Sequence, residues 1–301
     1  MMRITQQLLT NQIRQNSGRA SDRLNRAIQE IQSDTSVPSA SVDPVKATRI
    51  AGLDERLRNH ESLSRSRSTM RSHLGLADTA LGNLTERISA MRDQALSVVT
   101  DSASDEDRKI VGTSLRKELE AILGIANTRD GSGRYIFGGL QDAAPPFAAD
   151  GTYNGDNNSR DVEISPGIKM PATVSGHDLF GPLDGGVGPA NETIAALSNL
   201  VAALETGDEV TARNQLNPMA KGLAQLVQTR ANVGGRLATL ENLDMLGLDI
   251  KTTLASERGD ETAVDIARLS SELAGSQASL QAIIETSKTL MAQSSGSWLN
   301  G

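Results

Sequence analysis

The side chains able to do chemistry in this chain are few and scattered. Three histidines, His60, His73 and His177, stand in unrelated contexts and never at a spacing that would bring two imidazoles onto one metal. There is no cysteine, which removes thiol nucleophiles, thiolate ligands and disulfides together. Walker loops, G-x-S-x-G elbows and H-E-x-x-H motifs do not occur. Residues 131–139, GSGRYIFGG, begin like a dinucleotide loop, but Ile136 stands where the third glycine belongs and the preceding pattern is helical. Carboxylates are plentiful, yet nothing in the sequence pairs two of them for acid–base work. Arg258-Gly259-Asp260 could be an adhesion tripeptide and reads more simply as a helix stop followed by an acidic helix start. Asn83, Asn157 and Asn191 open N-x-S/T triplets that are idle without a signal peptide. The expectation is no catalytic residue, no cofactor and no metal.

Composition points to a structural role for the elements. The 301 residues are 38% hydrophobic but 2% aromatic, lean for a thick globular core and suited to thin seams of Leu, Ile, Val and Ala between long helices. Five of the six aromatic residues fall between 135 and 180, and the sixth is Trp298. A formal charge of −7 argues against nucleic acid as a partner. The local run Arg56, Arg58, Arg65, Arg67 and Arg71, interleaved with Asp54, Glu55 and Glu61, reads as a solvated helix face. No run of eighteen apolar residues occurs and the first twenty lack a signal-peptide core, so no membrane partner is expected, and export would take another route.

Helical periodicity dominates. Ile13, Ser17, Ala20, Leu24, Ala27 and Ile31 alternate steps of four and three, with Ile4 and Leu8 extending the stripe. A Ser/Pro-rich connector follows, ending in Asp43 and Pro44, an N-cap acceptor and a residue with preset φ that together start a helix. From Leu74 to Val98 the 3–4 spacing is unbroken; between 58 and 72 it loses phase, which predicts a bend or a change of partner. A capping box from Ser104 to Asp107 opens a third helix reaching about Thr128. Helices resume at 193–205 and at about 208–258, with Pro218 starting or kinking one and the ERGD stretch ending it. The last helix carries Ile266, Leu269, Leu273, Ser276, Leu280, Ile283, Ser287 and Leu290 at heptad positions.

Between 131 and 190 the period changes. Gly/Pro/Asn/Asp clusters surround short β-prone pieces, YIFGG, DVEIS and MPATV, which predicts a small β-rich module with Tyr135, Phe137, Phe147, Tyr153 and Phe180 as its core. The fold class is therefore mainly α, a long antiparallel helical bundle or coiled coil formed by both termini with a small β-rich domain inserted in the middle. Its expected divisions are 1–42, an N-terminal assembly helix and connector; 43–130, the first part of a helical rod; 131–190, the outer domain; 191–258, the rod's second part; and 259–301, a C-terminal assembly helix. Each terminal stripe lacks a neighbour in sequence and can be covered by the other terminus or by another copy.

MRITQQLLTNQI at the start, the VDP helix start, NTRDGSGRYIFGG, the following PPF and DGTYNGD, RANVGGRLATLE and the closing DIARLSSELAGSQASLQAIIETSKTLM resemble the bacterial flagellin family, in the right order across nearly the whole chain. Within it, RYIFGG with Phe147 and YNGD resembles the hook-associated members. The resemblance implies a structural adaptor that joins hook to filament through polymerisation of its terminal helices, without catalysis; a filament flagellin is the alternative. It also implies packing against other copies in a ring, neighbouring hook-associated protein and flagellin as partners, and an export chaperone at the C-terminal helix. Type III export of the unfolded chain, with no cleaved signal peptide, would place it outside the cell. Carried onto this sequence, the assembly seam is Ile4, Ile13, Leu24 and Ile31 with Ile266, Leu273, Leu280, Ile283 and Leu290. Asp43 and Pro44 hold the turn below the second helix, and Tyr135, Phe137, Phe147 and Tyr153 anchor the outer domain.

Overall fold

The computed structural model describes residues 2–33, 43–100, 103–181, 191–263 and 266–296, side chains near the two ends excepted. In chain order the elements are α1 (Met2–Ser33), α2 (Pro44–Val98), α3 (Asp105–Ala126), β1 (Asp161–Ser165), β2 (Ile168–Pro171), α4 (Gly176–Phe180), α5 (Glu192–Thr206), α6 (Glu209–Thr262) and α7 (Ile266–Gly296). They form two compact units, residues 59–250 and residues 1–58 with 251–301.

The larger unit is built on α2 and α6. Leu74, Ala77, Leu81, Leu84, Ile88, Met91 and Ala95 of α2 have no exposed surface. On α6 the matching buried residues are Ala212, Met219, Leu226, Val233 and Leu240, a strict seven-residue repeat. A seven-residue repeat keeps one narrow seam turned toward one partner along the length of the helix. The two helices are antiparallel, because Arg67 pairs with Asp244 whereas Asp78, further along α2, pairs with the earlier Arg230. Helix α3 packs on α5 so closely that a Cβ on Gly112 would lie 2.8 Å from the backbone nitrogen of Glu205.

Start signals work as the chemistry requires. Asp43 accepts from the backbone N–H of Lys46 at 2.9 Å and Pro44 opens α2. Ser104 and Asp107 satisfy one another's backbone N–H groups in a capping box, and α3 then runs to Ala126 with Asn127 as its C-cap.

Two sequence expectations are corrected. Through 58–72, α2 is uninterrupted, and its inward stripe continues through half-buried His60 and Ser64, buried Arg67 and Met70. Polar side chains occupy seam positions there, so the stripe lost its apolar character without losing its phase. Likewise α6 runs through Glu257-Arg258-Gly259-Asp260 to Thr262, not stopping at 258. The cost of a helical glycine, roughly 1 kcal/mol, is opposed by Arg258 bonding Asp54 at 2.5 Å and Glu261 bonding Arg49 at 3.1 Å, both on α2. The Arg-Gly-Asp stretch is thus helical backbone with its arginine engaged. Pro218 lies inside α6 and does not begin it.

The inserted module is made mostly of turns. DVEIS is strand β1 and pairs antiparallel with β2, Val162 opposite Met170 and Glu163 opposite Lys169. Pro166-Gly167 turns the ribbon, Gly167 taking φ +74°, the left-handed region a type II turn needs. YIFGG forms isolated bridges only, Tyr135 to Arg129 and Gly138 to Ser175.

Because the atom closest to a Gly112 Cβ is the backbone nitrogen of Glu205 in α5, side-chain rotation alone cannot relieve the clash. Gly112→Val is expected to lower stability by about 1–3 kcal/mol, read as a fall in the urea midpoint; an unchanged midpoint would mean α3 and α5 are not in tight contact.

Candidate functional site: a helix pair and a clamped module

In the smaller unit α1 and α7 lie against each other. Ala20 of α1 and Leu269 and Ser276 of α7 are buried; Ser17, Leu24, Leu273, Leu280, Ile283 and Ser287 are half-buried. A groove between them is lined by Asn16, Arg19, Ala20, Arg23, Glu272 and Ser276 among others. Ile28 and Ile284 point outward, Ile284 being 53% exposed. Of the expected seam residues the structure thus brings Leu24, Leu273, Leu280 and Ile283 to partial cover, while the side chains of Ile4, Ile13, Ile31, Ile266 and Leu290 lie outside the described residues. The connector 34–42 and the terminal WLNG also lie outside them.

The module's aromatics divide into two places. Phe147 stacks tilted on Tyr153 at 5.0 Å and meets Phe180 edge-on at 5.3 Å. Phe137 is fully buried, and its carbonyl accepts from the Gly176 N–H at 2.9 Å. The Tyr153 hydroxyl ties these segments together, donating to the Asp156 carbonyl at 2.8 Å, lying 3.1 Å from that of Phe137 and accepting from the Gly176 N–H. Burial pushes its pKa up to about 12, so it stays a donor at any physiological pH. Tyr135 sits apart beneath the Arg129 guanidinium, 4.5 Å from the ring centre. Asn127 closes the base of the module by bonding both the N–H and the C=O of Phe147, at 3.0 and 2.8 Å.

Four rod side chains grip the module by its backbone. Arg67 donates to the Ile164 carbonyl at 2.9 Å; Arg236 donates to those of Pro171 and Thr173, both at 3.3 Å. Gln225 reaches the carbonyls of His177 and Asp178, and Thr229 donates to that of Asp178 at 2.7 Å. Arg67 is 4% exposed and its charge is met by Asp244 at 2.5 Å, which Arg71 also bonds. Burial raises the Asp244 pKa, but the bonds from Arg67 and Arg71 outweigh it and hold the carboxyl below its ordinary value. Gln225, Thr229 and Arg236 did not stand out in the sequence, where a polar residue on a helix reads as solvent-facing; Arg67, expected on a solvated face with its neighbouring arginines, is instead buried, and its place three residues before Met70 in the inward stripe was the available signal.

Beside the clamp, a cleft lined by Arg65, Ser66, Thr69, Asp130, Arg134 and Arg160 among others holds His73. Its Nδ1 is 4.0 Å from Asp130 and its buried Nε2 has no hydrogen-bond partner. Burial lowers its pKa from 6.5, Asp130 opposing and Arg134 and Arg160 adding to the shift. Among the described residues no group of three His, Asp or Glu could hold a metal, and no helix is long and apolar enough to cross a membrane. The geometry offers helix surfaces and a braced module.

Comparison with known proteins places this architecture. The profile of the bacterial flagellin N-terminal helical region matches residues 4–142. Flagellar hook-associated protein 3 of Escherichia coli (strain K12) is 27% identical over 264 residues, covering 82% of this chain and 83% of that one. Among solved structures, one from Vibrio parahaemolyticus assigned as a flagellar hook-associated protein superposes with a TM-score of 0.67 at 20% identity, over 74% of this chain and all of that one. The flagellar junction protein FlgL of Legionella pneumophila gives 0.55 at 17% identity, over 71% of this chain and 99% of that one. Residues 4–142 of the chain thus match the helical region of bacterial flagellins. Over most of its length the chain is similar to flagellar hook-associated protein 3.

Two outcomes follow. Phe137→Ala is expected to destabilise the module by ~3–5 kcal/mol, seen as new proteolytic cleavage near residue 131; unchanged cleavage would remove Phe137 from the module's core. For His73 the folded pKa is lowered, so the unfolded chain binds more protons below pH 6.5 and stability falls as pH drops through that value toward the folded pKa. His73→Gln should flatten that part of the stability curve, and an unaltered slope in urea titrations would show that His73 does not set it.

Proposed function

We propose that the chain is a structural adaptor of the bacterial flagellum that joins hook to filament, exported unfolded and assembled outside the cell without catalysis. The observation carrying this reading is the contrast between its two helix pairs. In the rod, α2 and α6 bury a continuous row of large apolar side chains. The described part of α1 and α7 leaves most of its stripe half-covered, with Ile28 and Ile284 exposed. Amphipathic helices that thin are marginal alone and gain stability by packing with further helices. Other copies of the chain, a neighbouring hook-associated protein and flagellin would supply them, and an export chaperone would cover the C-terminal helix beforehand. Leu24, Leu273, Leu280 and Ile283 are the described residues assigned to that seam, while Asp43 and Pro44 fix where the rod begins. The similarity to hook-associated protein 3 supports a junction over a filament flagellin.

Leu280→Asp sets a charge into the half-covered stripe, at a cost of several kcal/mol once the stripe is fully buried. Hooks carrying this variant are expected to fail to take up filament while the purified protein keeps its melting curve. Normal joining would exclude the C-terminal stripe as the assembly surface. Purified chain that grew long filaments unaided would favour the flagellin alternative.

A further inference from the structure

Helix α6 carries a second seam that its own chain does not cover. Val227, Ala231, Gly234, Ala238, Met245 and Leu248 recur at heptad steps with Glu241 the only charge among them, and all are exposed. Val227 is 52%, Met245 59% and Leu248 65% exposed, with Leu246 and Ile250 flanking them. This face lies roughly a third of a turn round the helix from the buried repeat. A helix with two seams at that offset is built to sit between two partners.

The same unit holds a face that fits it. On α2, Thr69, Ser72, Leu76, Thr79 and Asn83 recur at steps of three and four, all exposed, with Arg65 at their head; Arg65, Thr69, Ser72 and Leu76 form one wall of the open cleft that holds His73. The hydroxyls of Thr69, Ser72 and Thr79 bond carbonyls of their own helix, so they offer a neighbour little that needs water. Arg67–Asp244 and Arg230–Asp78 fix which residues of the antiparallel pair share a level. Leu76 shares its level with Gly234, where nothing lies within 4 Å of an added Cβ, so two copies set side by side at equal level would bring Leu76 of one to Gly234 of the next. Arg65 and Glu241 then fall within about one turn, ~5 Å, of each other, and neither has an ion-pair partner among the described residues.

We propose that the outer face of α6 is the docking surface for α2 of a second copy of this chain. This deepens the junction reading and rests on it. The contact joins two different faces, so it repeats from copy to copy and closes a ring or winds a helix instead of ending at a pair. From 227 to 248 the face is about 30 Å long and about 10 Å wide, on the order of 300 Å² against the roughly 800 Å² per partner of a stable complex. Free chains therefore stay apart, and copies already held by their terminal helices engage it at high effective concentration.

The absence of cysteine allows a direct test. Leu76→Cys and Gly234→Cys are placed together in the full chain, and hook–filament junctions assembled from it are oxidised. A covalent ladder of three or more copies is expected from assembled junctions and single chains from free protein, with no ladder from either single variant. Covalent dimers from Gly234→Cys alone, or assembled junctions without a ladder, would overturn the proposed contact while leaving the junction role intact. Ala238→Arg provides a readout without new cysteines: joined hooks should fall at least about tenfold because the long side chain holds the two faces apart, with melting unchanged, and normal joining would overturn the surface. Failure of the unmodified chain to join hooks to filaments would overturn both readings.

Discussion

Everything in the larger unit depends on one constraint: two long antiparallel helices, each turning one aliphatic row into the core. The α6 repeat from Ala212 to Leu240 and the α2 stripe from Leu74 to Ala95 contain no aromatic residue, and Phe137, Phe147 and Phe180 join the same core from the module. A core that thin buries little per residue, so its stability grows with length, and α2 and α6 reach 55 and 54 residues. Along a pair this long the inserted module can be fastened by side chains spaced over several turns, from Gln225 to Arg236 on α6 and at Arg67 on α2.

What the sequence revealed tracks what apolar periodicity can encode. The stripe from Leu74 to Val98 was legible because each seam position is Leu, Ile, Met, Val or Ala. The stretch before it was not, because Arg67 is buried by virtue of Asp244 and a strand carbonyl 97 residues away, a pairing no local pattern announces. Gly259 and Asp260 looked like a terminus on local propensity; ion pairs to α2 overrode it. In the module, DVEIS paired because MP lay within reach across a two-residue turn, whereas YIFGG had no extended neighbour and settled into turns.

Two kinds of surface coexist in this chain and answer to different physics. The rod's interior is finished: its apolar row is covered and its buried arginines, Arg67 and Arg108, are matched by carboxylates. The α1–α7 pair is unfinished, with small and polar residues such as Ser17, Ser276 and Ser287 where a self-sufficient coiled coil would place leucine. A pair of this kind is marginal by itself and is stabilised when further helices cover its stripe.

The way the module is fastened has a further bearing. Arg67, Gln225, Thr229 and Arg236 all take hold of main-chain oxygens, at Ile164, Pro171, Thr173, His177 and Asp178. A carbonyl is the same whichever residue carries it. The residues displayed on the module's exposed surface can therefore be exchanged over generations without loosening its footing. Attachment and appearance are separately heritable in this architecture, and a lineage can alter the second while keeping the first.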